Sequence, residues 1–312
     1  MVMAHHRPSS QVCILLYKGI NVRTDAFEKF HFQAFRIMKI YRVFEILRSW
    51  QNSNMSDLAN FRHYRQLIFV KVAANLKAEA SRYSLSYLWW IFEPILHMTV
   101  YYLVFGLLLQ RGTEDFVAFL LTGVIPWLWF NKTVSNSMMS IVSGKALMMQ
   151  VHIPKIVLPT IVIFQDAVKQ TVVMVLLLIF LIIYSGMFSL CWISLPVLMG
   201  TEIFIIAAFA YFVAAVIPFM LDLRFLVSAG LMMLMFCSGV FYSDKLIPVQ
   251  YHQLFYLNPM ANLLRNYRTV LLHGQWPDWQ ALLCMAGGSL AGILIMELLM
   301  RRLDHIYPRV VQ

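Results

Sequence analysis

Charged side chains inside otherwise apolar runs are where this chain could do chemistry, because ionisable groups at membrane depth are costly and tend to be kept for a use. Asp166 and Lys169 stand three residues apart in one such run. On a helix they share one side, where they can neutralise each other or relay a proton or ion. Glu93, before Pro94, stands near the start of another run and reads as an interfacial carboxylate. Lys132 has a stem long enough to snorkel to a membrane surface. These groups do not form the chain of acids that a proton-driven carrier needs. Nucleotide chemistry is excluded more sharply. A phosphate-binding loop reads GxxxxGK[ST], but the Gly144-Lys145 pair has Met139 in place of the first glycine and Ala146 after the lysine. GxSxG, HExxH and GxGxxG do not occur. Cys13, Cys191, Cys237 and Cys284 lie far apart, with no CxxC pair and no histidine in metal spacing, so neither a disulfide nor a metal site is expected. No catalytic residue and no cofactor of its own are expected, and any uphill work must draw on another protein or an ion gradient.

Aromatic side chains offer a different chemistry. Trp89, Trp90 and Tyr101 fall in one apolar run, Trp127 and Trp129 in the next, and Phe236 and Tyr242 in a later one. Such residues form belts at bilayer interfaces. They can also line a conduit, because a sugar ring presents an apolar C–H face to an aromatic ring. Position in the sequence does not separate these uses.

The elements that must hold these residues are membrane spans. Hydrophobic residues make up 60% of 312 and charged residues 13%, about half the charge of a soluble domain, and mean hydropathy is +0.69. Six runs are expected to cross: Trp89–Leu109, Phe116–Val142, Thr160–Tyr184, Leu195–Met220, Phe225–Phe241 and Ala281–Met300. The chain therefore reads as an all-α integral membrane protein with six transmembrane helices. Residues 1–55 form a basic extension, amphipathic or poorly ordered. Residues 56–87 hold an amphipathic helix at the membrane surface, with Phe61, Tyr64, Ile68, Val72 and Leu76 on one stripe. The spans occupy 88–304 and a tail follows at 305–312. Of the net charge of +10, residues 1–87 carry +8 (13 Lys+Arg against 5 Asp+Glu), which places the N-terminus in the cytoplasm by the positive-inside rule. An even number of spans puts the C-terminus there too. Aromatic residues interleaved with the charges argue against a nucleic-acid arm.

Two connectors carry local signals. In 143–158, Ser143 reads as an N-cap, Ala146–Val151 as a short helix and Pro154 as its stop. In 248–279, Asn258 reads as an N-cap, Pro259 as the first helical position and Gly274 as the stop. That helix is too short and too polar to span, so the excursion reads as a re-entrant lid on the periplasmic side.

Four stretches, in this order and at these span boundaries, resemble the permease subunits of ABC exporters for cell-surface polysaccharides. They are Leu76-Lys77 through Ser86-Tyr87-Leu88-Trp89 to Glu93-Pro94; Phe119–Trp127, similar to the family's LLxGLxPW signature; Lys145-Ala146-Leu147 through Ile153-Pro154-Lys155 to Leu158-Pro159; and Leu257-Asn258-Pro259 with Asn266-Tyr267-Arg268 and Leu271-Leu272-His273-Gly274. Ser86 departs from a usual glycine, and Glu79-Ala80 stands where a basic-aromatic pair is common. The resemblance implies an inner-membrane subunit that pairs with a second copy of itself and with two copies of a separate ATPase, which holds ATP and Mg. It implies export of a lipid-linked glycan from the cytoplasm. It makes 143–158 the ATPase-docking gate segment, with Lys145, Met148, Met149, His152 and Lys155 as contacts. The aromatic residues named above become the translocation path. Asn258, Pro259, Arg265, Tyr267 and Arg268 belong to the lid, where Tyr267 and Arg268 would either gate the path or anchor spans five and six. The competing readings are an ABC permease for drugs or lipids, a secondary carrier and a membrane glycosyltransferase.

Overall fold

In a computed structural model of the protein the described residues are 64–79, isolated positions between 88 and 104, 116–150, 153–186, 189–244, 247–304 and 306–310. The expected first span, with Glu93, Trp89, Trp90 and Tyr101, falls largely outside them, as do the extension at 1–55 and His152. The described residues form helices and turns and no strands. That follows from the solvent: in lipid a backbone must satisfy its own polar groups, and a helix does so within one segment.

The elements in chain order are α1 (64–79), α2 (Phe116–Met138), α3 (Ser140–Ser143), α4 (Lys145–Gln150), α5 (Val157–Ser185), α6 (Leu195–Val216), α7 (Leu223–Cys237), α8 (His252–Leu257), α9 (Pro259–Leu271), α10 (Trp279–Leu303) and α11 (Tyr307–Val310). Among the described residues four helices are long and apolar enough to cross a membrane: α2, α5, α6 with its flanking 3-10 turns, and α10. The expected fifth span differs. α7 has 15 residues, about 22 Å at ~1.5 Å per residue, short of a hydrocarbon core of about 30 Å. Its end is set by a turn through Gly239, whose φ of 68° suits a residue without a side chain.

α6 is the centre of the packing, against α10, α2 and α5. Leu198, Ile206, Ala210 and Ala214 are completely buried along it. Small residues let helix backbones approach closely where lipid supplies no hydrophobic drive for association. Gly292 of α10 illustrates this, since a methyl added there would sit 3.5 Å from Ala208. The outer faces are apolar instead of polar: Phe225, Leu226 and Met233 on α7, and Leu283, Leu294 and Leu298 on α10, are exposed. A soluble bundle would show the reverse pattern.

Candidate docking, polar and lid sites

The docking segment begins with a correction. Ser143 does not cap α4. It closes α3, its hydroxyl donating to the Ser140 carbonyl at 3.3 Å, and Gly144 makes the break. A side chain at 144 would meet the Leu158 methyls at 2.7 Å. On α4, Met149 is 70% exposed, while Met148 is partly buried against the core. Lys145 is half-buried. Lys155, expected as a surface contact, is only 4% exposed and turned inward. Its backbone N–H and its ammonium donate to the Asp304 carboxylate at 3.1 and 3.4 Å, and the ammonium also reaches the Ile153 carbonyl at 3.2 Å. A buried ammonium needs such partners, and Asp304 supplies the opposite charge. Nearby, fully buried Tyr307 donates its hydroxyl to the Ala215 carbonyl at 3.2 Å. Burial, with the Asp304 charge second, pushes its pKa up to about 12, so it stays a donor at neutral pH. α11 packs on α4 as well.

The embedded charges form a wider cluster than Asp166 with Lys169. The Lys169 ammonium lies 2.6 Å from Glu79 and 3.9 Å from Asp166. Asp166 accepts a hydrogen bond from the Asn136 amide at 2.9 Å. Gln165 donates to Glu79 and accepts from Asn75, each at 3.2 Å. α1 is thus tied to α5 by polar contacts, and Val72 packs on Val157 and Ile161 beside them. Glu79, noted above only as a departure from the family pattern, is the closest partner of Lys169.

The aromatic residues divide. Trp127 is 2% exposed and packs on Phe130 at 5.4 Å between ring centres, with Phe130 edge-on to Phe209 at 5.3 Å. It belongs to the core of a single chain and presents no open face to a conduit. Trp129 is 3% exposed, and its indole N–H has no hydrogen-bond partner among the described residues. Phe236 is exposed on α7, and the Tyr242 hydroxyl donates to the Phe236 carbonyl at 2.8 Å.

The lid helix α9 is capped as its sequence predicts. Asn258 Oδ1 accepts from Met260 N–H at 3.0 Å, Pro259 occupies the first turn, and Gly274 follows with φ of 60°. Leu263, Leu264, Tyr267 and Val270 are fully buried. Tyr267 donates to Glu202 of α6 at 2.7 Å, and the other Glu202 oxygen has no partner among the described residues. Arg268 donates to the carbonyls of Gly239 and Val240, both at 2.9 Å, and its guanidinium lies 3.6 Å from the centre of the Phe119 ring. Gly123 leaves room for it, since a Cβ there would sit 2.5 Å from an Arg268 nitrogen. Arg265 is exposed, with its guanidinium 4.8 Å from the centre of the Tyr256 ring. Tyr256 donates to Asp244, and burial followed by that bond pushes its pKa up to about 12. Glu202 was missed in the sequence because it lies in an uninterrupted apolar run. The signal was present, as an acid at membrane depth like Asp166.

Residues 66–272 match the family described as ABC-2 type transporter. Among similar proteins, the O-antigen export system permease protein RfbA of Klebsiella pneumoniae is 24% identical over 216 residues, covering 69% of this chain and 83% of the relative. The protein of the same name from Myxococcus xanthus is 28% identical over 228 residues, covering 72% of this chain and 88% of the relative. The match takes in the docking segment, the polar cluster and the lid helix up to Leu272, and with it the chain belongs to the ABC-2 type transporter family.

Proposed function

We propose that the chain is the membrane-embedded subunit of an ATP-driven exporter of a lipid-linked cell-surface polysaccharide. The observation that carries this is its likeness to O-antigen export permeases over more than four-fifths of their length. The working unit is two copies of this chain with two copies of a separate ATPase, in the inner membrane with both termini cytoplasmic. Six spans are formed by residues 89–109, α2, α5, α6, α10 and a shorter fifth crossing in which α7 is continued by residues 238–241. α9 dips into the outer half of the membrane without crossing it, since it is short and carries Asn262, Arg265, Asn266 and Arg268.

Within this unit α4 meets the ATPase. Met149 stands clear of the fold, Lys145, Met148 and His152 flank it in sequence, and Lys155 braces the segment from inside. Arg268 and Tyr267 hold the lid in place instead of swinging as a gate. A guanidinium bonded to two backbone carbonyls and stacked on a ring is an anchor, and buried Tyr267 is another. Phe236 and Tyr242 remain the translocation aromatics on the exposed side of the described residues.

Co-expression with an ABC ATPase of a polysaccharide exporter, in cells lacking both proteins, tests the reading. Surface glycan should return only with both proteins, and a Met149→Cys variant should cross-link to the ATPase from the cytoplasmic side. Restored drug or phospholipid efflux without glycan would favour the other ABC reading. Transport without any ATPase would favour a carrier.

A further inference from the structure

A cavity of about 300 Å³ lies between α2 and α5. The sequence builds it from two facing stripes. Leu121, Val124, Leu128, Lys132 and Asn136 recur along α2 at steps of three and four with Trp129 beside Leu128, and Asp166, Lys169 and Val173 do so along α5 with Gln170 beside Lys169. Such steps put each set on one helix face. The antiparallel helices are registered by the Asn136–Asp166 hydrogen bond. One end of the cavity is therefore polar and the other apolar, with Trp129 and Gln170 between.

Two donors at that boundary are unused. The Trp129 indole nitrogen and the Gln170 side-chain nitrogen are buried with no hydrogen-bond partner among the described residues, on side chains 3% and 6% exposed. Buried polar groups without partners are rare in folded proteins and call for an explanation such as a ligand. Charge narrows the chemistry. Lys132 and Lys169 are offset by Asp166 and by Glu79, which pairs with Lys169, and His97 is the one further ionisable side chain on the wall among the described residues, so no cluster of surplus cations is gathered for a phosphate. Two N–H donors, the carboxylate of Asp166 and an indole ring are groups that hold a hydroxylated ring. The apolar stretch above, through Leu128, Val124 and Leu121, suits a hydrocarbon tail. The cavity is at the small end of ligand pockets, which fits one ring and excludes a polymer.

We propose that this cavity takes one neutral glycosyl ring of an amphipathic lipid, with Trp129 and Gln170 donating to its oxygens. The identity of that lipid as part of the exported conjugate rests on the exporter reading above, whereas the chemistry of the cavity does not.

The test uses the full chain in lipid nanodiscs and an alkyl glucoside carrying a photoreactive diazirine on its tail, with adducts mapped by mass spectrometry. Labelling is expected on the cavity faces of α2 and α5. Unlabelled alkyl glucoside should compete, and an alkyl phosphate of equal chain length should compete far less. Trp129→Phe removes the N–H and keeps a ring, and Gln170→Leu keeps the volume, so both should fold, with thermal melting as the check. Each should reduce labelling roughly three- to tenfold, the factor for one neutral hydrogen bond. Equal competition by the alkyl phosphate overturns the proposal, and so does labelling confined to the outer faces of α7 and α10. Folded variants that label like the parent overturn it too. Because labelling needs neither ATPase nor transport, a chain that exports glycan but stays unlabelled removes the site alone. A chain labelled in the cavity that exports no glycan removes the exporter reading alone.

Discussion

Tyr267 and Glu202 meet in a place neither could occupy alone. Both side chains are wholly buried, and the hydroxyl of one is the donor to the carboxyl of the other. Tyr267→Phe strips that donor and leaves a buried acceptor unmet, which costs about 1–3 kcal/mol. A lower melting temperature of the purified chain is the expected outcome, with Glu202→Gln milder because it keeps an acceptor. Arg268 makes a stricter case. Arg268→Lys cannot span the Gly239 and Val240 carbonyls from one ammonium, so lysine should fail to rescue the loss of expression and folded yield caused by Arg268→Ala. Gly123→Ala should mimic that loss, at about 1–3 kcal/mol for overpacking, since its methyl would also press on the Val240 carbonyl at 3.2 Å. The two changes should couple in a double-mutant cycle, and strict additivity would refute the contact. That Arg268 mattered was legible from a polar, family-like stretch of sequence. Its partners were not, because they are backbone carbonyls 28 and 29 residues away, and a carbonyl leaves no mark in a sequence.

At the scale of elements, local chemistry was readable and tertiary stops were not. The cap on α9 depends on Asn258 and Pro259 reaching only two residues ahead, so its sequence determined it. The length of α7 was overestimated because Ser238 to Phe241 continue the apolar pattern. The helix ends there because the turn at Gly239 offers its carbonyl to Arg268. Likewise Ser143 looked like a cap, but packing of Gly144 against Leu158 moved the break by one residue. Lys155 was legible as important and misread as exposed, because its partner Asp304 is 149 residues distant. Asp304→Ala should therefore release the docking segment. Removing one member of a buried ion pair costs about 3–5 kcal/mol, and a partly exposed Asp304 puts the expectation at about 3. Protease cleavage within 145–156 should accelerate in this variant, whereas a change only in global melting would argue that the segment is held by other contacts.

For the whole molecule, membrane residence was written in composition, and of the six runs read as spans four are long apolar helices among the described residues. Which faces turn inward was not readable, because α5, α6 and α10 are apolar all round and carry little periodic contrast. Trp127 shows the consequence: the same residue type serves belts, conduits and cores, and here it fills a core. The purified chain is expected to hydrolyse no ATP by itself and to gain turnover only with its ATPase. Activity in the chain alone, at constant yield through successive purification steps, would refute the division of labour.

Lys155 and Asp304 also have a mechanical meaning. They tie the connector that follows α4 to the end of α10, while Tyr307, just beyond, bonds Ala215 at the end of α6. α6 and α10 lie packed against each other. A force applied at Met149 is therefore not spent on bending a loose connector. Because α11 packs on α4 and bonds the end of α6, a displacement of α4 is expected to reach α6 and α10 together and, through Glu202, Tyr267 of α9.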